Sequence, residues 1–350
     1  MKKKNSGVIT IEDLAKEAGV SAGTVDRVLH NRGRYSQASE EKVRGAIKKL
    51  GYKPNLMARN LAKQKTCRLA CLIPRVHQRQ EYWTFPANGM QKCIQEFNLH
   101  HITLDFFEYG RRDRTEFRQK AQSCLEGEYD GYILAPLISD LSLEFLKKIS
   151  PHTPVVFFNS DLPDTQRLAY VGQRNYRGGK LAAWLMNLLV QGNTEQTIRI
   201  ISPTVENYHL DRRILGFQEN LHSPHSLIYL DDAQNQEEVI FASLDQNIPQ
   251  KSTSGIFVSD SSAYIVASWL KSRQIKIPLL GYDLIKANCQ GVQEGYIDVL
   301  LNQRPYQQGY DSLRLLIQYL LMEKRDFSDI IMPIDIITSD NIEEFLSLVE

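Results

Sequence analysis

The sequence predicts a two-part protein, in which a small all-α headpiece precedes a larger α/β body with two open parallel sheets. Apolar residues recur at helical spacing up to residue 50, and short apolar runs alternate with helix-length segments beyond residue 66. The length of 350 residues suits two or three domains. Residues 1–65 hold fifteen Lys or Arg and six acids, whereas the other 285 residues hold 27 and 35. The net charge of +1 therefore divides into +9 on the headpiece and −8 on the body.

Three short helices are predicted in the headpiece, each with an apolar face. A hydroxyl side chain that can cap the helix precedes each one, and a glycine that can end it follows. These pairs are Thr10 and Gly19, Ser21 and Gly33, and Ser39 and Gly51. Three helices of this kind with a basic surface are typical of a helix-turn-helix module, which we predict over 8–53.

The headpiece sequence resembles that of the LacI-type bacterial transcription regulators. The resemblance covers TIEDLAKEAGVSAGTVDRVL at 10–29, EKV at 41–43, GYKPN at 51–55 and ARNLA at 58–62, all in one register. It implies that the second helix enters the major groove of DNA. It also implies a hinge helix and linker over 54–66, in which Leu61 wedges between base steps in the minor groove.

This resemblance, together with the outward position of several side chains, predicts a set of DNA-contacting residues. Arg27 lies off the apolar face of its helix and can donate two hydrogen bonds to a guanine. The hydroxyl side chains can contact phosphates or act simply as helix caps, and the two roles are compatible. The full predicted set is Thr10, Ser21, Ala22, Gly23, Thr24, Asp26, Arg27, His30, Ser36, Ser39, Asn55, Ala58, Leu61 and Ala62.

Three positions of the second helix depart from the family pattern. Ala22 and Gly23 stand where relatives carry larger base-reading side chains, and Asp26 stands where a serine is common. The operator sequence of a relative therefore cannot be transferred to this chain.

Nine strands with intervening helices are predicted in the body. The strands are 69–73, 102–107, 131–135, 155–159, 198–202, 227–230, 255–258, 278–282 and 334–337. The helices lie near 86–98, 114–126, 141–149, 176–191, 208–221, 236–247, 262–273 and 306–323. Parallel βα units in this number are enough for two sheets.

The body resembles the effector domain of the same family, which is similar to sugar-binding proteins of the type I periplasmic class. The similar segments are PVVFFN at 154–159, VGQRN at 171–175, DRRILGF at 211–217, GYD at 281–283 and QRPYQQG at 303–309. The resemblance implies a ligand-binding domain over 67–350 that has two Rossmann-like lobes. The first lobe would cover about 68–172 and 300–330, and the second about 173–299 and 331–350.

Polar and aromatic side chains at predicted strand ends form the candidate ligand site, because ligands bind at the carboxyl ends of such strands. By the family pattern Arg213 donates to hydroxyls or a carboxylate, Asp283 accepts from sugar hydroxyls, and Gln303 resembles a cleft glutamine. An aromatic ring can stack on a sugar or simply pack between the lobes; Arg213 can instead form a salt bridge, and Asp283 can cap a helix. The full predicted set is Tyr82, Trp83, Phe85, Asn159, Asp161, Arg213, Ser259, Asp260, Asp283 and Gln303.

The sequence lacks the marks of several other protein classes. The five cysteines are scattered without a C-x-x-C pair, and no catalytic or dinucleotide motif is present, so we expect no metal, no cofactor and no enzyme activity. No apolar stretch is long enough to span a membrane, and charges interrupt the only signal-like segment, which predicts a cytoplasmic protein.

These observations predict a ligand-responsive DNA-binding regulator, acting as a repressor with a sugar or sugar derivative as effector. It would bind a pseudo-palindromic operator as a homodimer or higher oligomer. The alternatives are a sugar-binding protein of a transport system and a Rossmann-like enzyme.

Overall fold

The computed structural model describes residues 11–29, 33, 35–50, 66–76, 82–96, 102–191, 195–203, 207–230, 237–322 and 324–348. The chain divides into two compact units, 1–63 and 64–350. Within the described residues, no helix is both long and apolar enough to cross a lipid bilayer.

The first unit contains three helices, as the sequence predicts. They are α1 (Ile11–Ala18), α2 (Ala22–Leu29) and α3 (Gln37–Leu50). Leu14, Val25 and Val43, one from each helix, are fully buried and form the centre of a small core. Burial of these side chains stabilises the unit by roughly 1.5–3 kcal/mol each.

The beginning of α3 differs from the prediction. The Ser36 hydroxyl accepts from the Ser39 backbone N–H at 3.2 Å, so Ser36 caps the helix and Ser39 lies inside its first turn. Both serines satisfy the pattern of a hydroxyl before acidic residues, and apolar periodicity does not distinguish between positions one turn apart. At α2 the prediction is confirmed, because the Ser21 hydroxyl accepts from the Thr24 backbone N–H at 3.2 Å.

The body contains two six-stranded sheets. The strands are β1 (Cys67–Pro74), β2 (Ile102–Tyr109), β3 (Gly131–Leu134), β4 (Val155–Phe158), β5 (Ala169–Gly172), β6 (Thr197–Pro203), β7 (His225–Leu230), β8 (Thr253–Val258), β9 (Leu279–Tyr282), β10 (Val299–Asn302), β11 (Ile330–Ile331) and β12 (Asp335–Ile337). The first sheet has the order β11-β5-β4-β3-β1-β2 and the second β12-β10-β9-β8-β6-β7. All neighbouring strands are parallel except β10 and β12.

Helices cover the sheets, as the doubly wound pattern requires. They are α4 (Thr84–Glu96), α5 (Arg114–Glu126), α6 (Ser139–Leu146), α7 (Asn175–Leu189), α8 (Tyr208–Gln218), α9 (Glu237–Asn247), α10 (Ala263–Arg273), α11 (Lys286–Gln293) and α12 (Pro305–Leu321). Separate apolar clusters lie on the two faces of each sheet. The central strands are consequently buried throughout, which is why they appear in the sequence as unbroken apolar runs.

Three strands and one helix were not predicted: β5, β10, β11 and α11. β5 and β10 have only four residues each, and apolar runs this short have no period that separates a strand from a helix segment. β10 also changes a predicted boundary. Residues 300–302, assigned to the first lobe, pair with β9 or β12 in the second sheet. The chain therefore returns to the first lobe after Asn302 rather than before Leu300.

Candidate functional site

The exposed face of α2 carries the predicted DNA-contacting side chains of the headpiece. Val25 and Val28 point into the core, and Ala22, Gly23 and Arg27 are exposed. The guanidinium of Arg27 donates to the Thr24 hydroxyl at 3.3 Å, so a neighbour on the same helix helps to hold it. The predicted residues Ser21, Ser36 and Ser39 lie at the beginnings of helices. The side chain of Asp26 is half-buried. Six others lie outside the described residues: Thr10, His30, Asn55, Ala58, Leu61 and Ala62.

Polar side chains from both lobes come together at the carboxyl ends of the parallel strands, where Arg111 of the first lobe contacts Asp260 of the second, and we call this region the cleft. Asn159 follows β4 and Asp283 follows β9, and both have left-handed backbones, with φ of 65° and 71°. Asn and Asp tolerate this conformation better than most residues, because their short side chains can bond locally. The two turns end their strands and leave the buried polar side chains of Asn159 and Asp283 at the carboxyl ends of the sheets.

Arg213 is the most buried charged residue of the cleft, with 1% of its surface exposed. One guanidinium nitrogen donates to the Ser259 carbonyl and another to the Asn175 amide oxygen at 3.4 Å. The guanidinium carbon lies 3.6 Å from the centre of the Tyr282 ring. Among the described residues no carboxylate forms an ion pair with Arg213, and its Nε has no protein partner. The salt-bridge alternative is therefore not observed, and hydrogen-bonding capacity remains for a ligand.

Close helix packing positions Arg213. Helices α7 and α8 touch at Gly179 and Gly216, where a Cβ atom would lie 1.8 Å from the Arg213 carbonyl oxygen and 2.0 Å from the Tyr176 carbonyl oxygen. Only glycine permits such an approach of two backbones. The approach sets the first turns of α8 beside the end of β8, within reach of Ser259.

Asp283 and Gln303 form a second polar pair. The Gln303 amide donates to the Asp283 carboxylate at 2.7 Å, and Gln303 Oε1 has no protein partner. Burial raises the pKa of Asp283 to about 6, against the lowering effects of the Arg213 charge and the Gln303 hydrogen bond. Helix α11 begins after Ile285 without a side-chain cap, so Asp283 is not its cap.

The predicted aromatic residues differ in their surroundings. The buried Tyr82 hydroxyl accepts from the Asn159 amide at 2.7 Å. Trp83 lies edge-on to Tyr82 and Phe158, with ring centres 5.0 and 6.1 Å away, and packs on the core of the first lobe. Packing in the first lobe explains the position of Trp83 without a ligand. Phe85 is half-buried in the first turn of α4.

Three further predicted ligand residues bond to side chains that are not in the predicted ligand set. Both carboxylate oxygens of Asp161 accept from Arg167, at 2.7 and 2.8 Å. The Ser259 hydroxyl donates to the Ser202 hydroxyl at 3.0 Å. Asp260 pairs with Arg111 at 3.0 Å. These residues were predicted because each follows a strand in the sequence. Only the fold shows that their side chains bond to protein groups.

Two cleft residues were missed by the sequence reasoning, Arg111 and His209. His209 lies in the first turn of α8, is buried, and has no protein partner at Nδ1. Burial, followed by the charges of Arg213 and Arg111, holds its pKa well below the ordinary value, so the imidazole is neutral. Neither residue follows a predicted strand directly, and the sequence contains no signal for them. No group of three or more potential metal ligands occurs in the described part of the chain.

Family models match both parts of this chain. The model for bacterial regulatory proteins of the lacI family matches residues 10–55, and that for the periplasmic binding protein domain matches residues 71–324. The sucrose operon repressor of Streptococcus mutans is 26% identical over 96% of this chain and 100% of its own. Catabolite control protein A of Staphylococcus epidermidis is 24% identical over 93% and 96%.

Solved structures show the same fold. A putative LacI transcriptional regulator from Bacteroides fragilis superposes with a TM-score of 0.73 at 24% identity, over 80% of this chain and 99% of its own. A solute-binding protein from Agrobacterium vitis with bound D-fucose gives 0.71 at 20% identity, over 81% and 100%. The curated relatives are regulators rather than enzymes, which confirms the prediction of a non-enzyme. The chain therefore belongs to the periplasmic binding protein domain family through residues 71–324, and residues 10–55 carry the domain of bacterial regulatory proteins of the lacI family.

Proposed function

We propose that this chain is a cytoplasmic repressor whose operator binding is controlled by a sugar or sugar derivative in the cleft. One observation carries the proposal: a helix-turn-helix with an exposed Arg27 and a body cleft with buried Arg213 and Asp283 occur in one chain. A reader of DNA and a receptor for a small molecule on one chain are the two parts that a ligand-controlled regulator needs.

The chemistry of the cleft supports a ligand rich in hydroxyl groups. Arg213 supplies donors, the Asp283 carboxylate supplies acceptors, and the Gln303 amide supplies both. A sugar hydroxyl can donate and accept at once, so it matches a mixed set of this kind better than an apolar ligand does. The ligand residues that we propose are Tyr82, Phe85, Asn159, Arg213, Asp283 and Gln303. The names of the sucrose operon repressor and of the solute-binding protein with D-fucose support the same class.

Control of DNA binding would follow from movement of the lobes. The chain passes between the sheets after β5, β10 and β11. Short connections of this kind act as hinges for closure around a ligand. We propose that closure changes the affinity of a homodimer for the two operator half-sites that it reads. The wedge role of Leu61 in the predicted hinge segment 54–66 stays a prediction.

A ligand screen tests the effector. We expect one or more of the sugars D-fucose, D-arabinose and sucrose to raise the melting temperature of the full chain and to change its operator affinity. Saturation at a hundred times Kd would stabilise the body by about 2.7 kcal/mol. A screen extended to sugar acids and nucleosides in which only a nucleoside acts would contradict the sugar assignment.

Arg27→Ala tests DNA reading. We expect affinity for the selected operator to fall about tenfold or more, because a bidentate contact to guanine discriminates by roughly 1–3 kcal/mol. Affinity for random DNA should change little. Gel-shift titrations on both DNAs measure the two effects. Arg44→Ala is the matched control, since Arg44 is exposed and paired with Glu40 at 2.8 Å on α3. Equal losses on both DNAs would show that Arg27 contacts phosphate only.

A further inference from the structure

Arg111 and Asp260 connect the two lobes directly. Arg111 lies in the loop between β2 and α5 of the first lobe, and Asp260 lies between β8 and α10 of the second. Their Nη2 and Oδ2 atoms are 3.0 Å apart. We call this contact the interlobe ion pair. Both loops follow the carboxyl ends of their strands, so the contact spans the cleft in which the proposed ligand residues lie.

The second lobe holds the Asp260 end of the interlobe ion pair firmly. Only 5% of Asp260 is exposed, and its Oδ1 accepts from both the backbone N–H and the hydroxyl of Ser262. Burial by itself would raise the pKa of this carboxyl. The Arg111 charge and the hydrogen bonds from Ser262 and Arg111 outweigh burial and hold the pKa below its ordinary value. The carboxylate therefore stays charged, and loss of Arg111 would leave it buried without a cation.

The loop that contains Asp260 also holds Arg213. The carbonyl of Ser259, one residue before Asp260, accepts from the Arg213 guanidinium. Arg111 thus contacts the same loop whose Ser259 carbonyl orients Arg213, the most buried cation of the cleft. The connection runs through three covalent or hydrogen-bonded steps and requires no long-range pathway.

We propose that Arg111 is a positioning residue for the effector, which holds the lobes closed through Asp260 and thereby sets the orientation of Arg213. This inference rests on the proposed function of the cleft. A ligand that binds the closed arrangement better is bound with an apparent affinity that scales with the closed fraction. Breaking the interlobe ion pair lowers that fraction, although Arg111 itself need not touch the ligand.

Four variants of the full chain test the proposal. Arg111→Ala removes the cation, and Arg111→Lys keeps a charge at the same place. Arg111→Asp together with Asp260→Arg reverses the pair. Arg114→Ala is the matched control, because Arg114 pairs with Asp140 inside the first lobe.

Lobe separation is the first readout. Spin labels at Gln119→Cys and Ala287→Cys, both exposed and in different lobes, report the distance between the lobes. The five native cysteines are buried and should not take up label. Dilution with unlabelled chain removes distances between subunits. We expect a longer or broader distance distribution for Arg111→Ala, and the original distribution for Arg111→Lys, the reversed pair and the control.

Affinity for the sugar with the largest effect in the screen is the second readout. We expect Arg111→Ala to weaken this affinity about tenfold, because the variant leaves the Asp260 carboxylate without its cation and water replaces the cation only in part. Arg111→Lys and the reversed pair should recover most of the loss. Unchanged distances and affinity in Arg111→Ala would overturn the proposal. If no sugar binds even the unaltered chain, the proposed effector class fails, while the label distances still decide whether the ion pair closes the lobes.

Discussion

Arg213→Met should abolish the response of operator binding to sugar while leaving operator binding itself intact. Methionine keeps much of the length of the side chain but removes every guanidinium donor. Hydrogen bonds from a charged group are worth about 1.5–3 kcal/mol each, so loss of two should weaken ligand affinity by two orders of magnitude or more. Titration of the sugar against a preformed operator complex, with calorimetry on the free protein, measures both effects.

Arg212→Met is the matched control for this experiment. Arg212 is the preceding residue on α8, but it turns away from the cleft and lies over the Tyr176 ring, 5.3 Å from its centre. Its replacement should change neither the affinity for the sugar nor the affinity for the operator. A full sugar response in Arg213→Met would show that the ligand binds elsewhere, and lost operator binding would show that Arg213 supports the body rather than the ligand.

Asp283→Asn should make the protein more stable at neutral pH. An unfolded Asp ionises near 3.8, whereas burial raises the pKa of Asp283 to about 6. Between these values the folded state binds more protons, so this carboxyl lowers stability as pH rises from 4 to 6. At pH 8 the cost of the buried charge is about 2–3 kcal/mol, which a neutral amide does not incur. Asparagine also tolerates the positive φ and can accept the bond from Gln303.

Melting temperatures over a pH series measure this effect. The advantage of the variant should be full at pH 8, about half as large at pH 5, about a fifth as large at pH 4, and absent near pH 3. Asp140→Asn is the control of opposite sign, because the hydrogen bond from Arg114 lowers the pKa of Asp140. An advantage for Asp283→Asn that is independent of pH would mean that its origin is not the carboxylate charge. Retention of a destabilising carboxylate is expected of a residue that serves ligand binding rather than stability.

The limits of prediction are clearest at the polar residues that follow strands. Asn159, Asp161, Asp260 and Asp283 look equivalent in the sequence, since each stands just beyond an apolar run. In the fold, Asp161 is paired with Arg167 and Asp260 with Arg111, whereas the Asp283 carboxylate accepts from Gln303 and forms no ion pair with any described residue. Arg111 and His209 join the cleft from loops and helix beginnings that carry no periodic signal.

The sequence alone determined the two-part division, the headpiece helices, the alternating body and the regulator family. These properties depend on local spacing, capping and charge, which neighbouring residues encode among themselves. Tertiary structure decided which sheet β10 joins, which carboxylates are paired, and that Arg111 meets Asp260 from a position 149 residues away. Such contacts depend on how distant strands pair and how two lobes meet, and no period in a single chain segment contains that information.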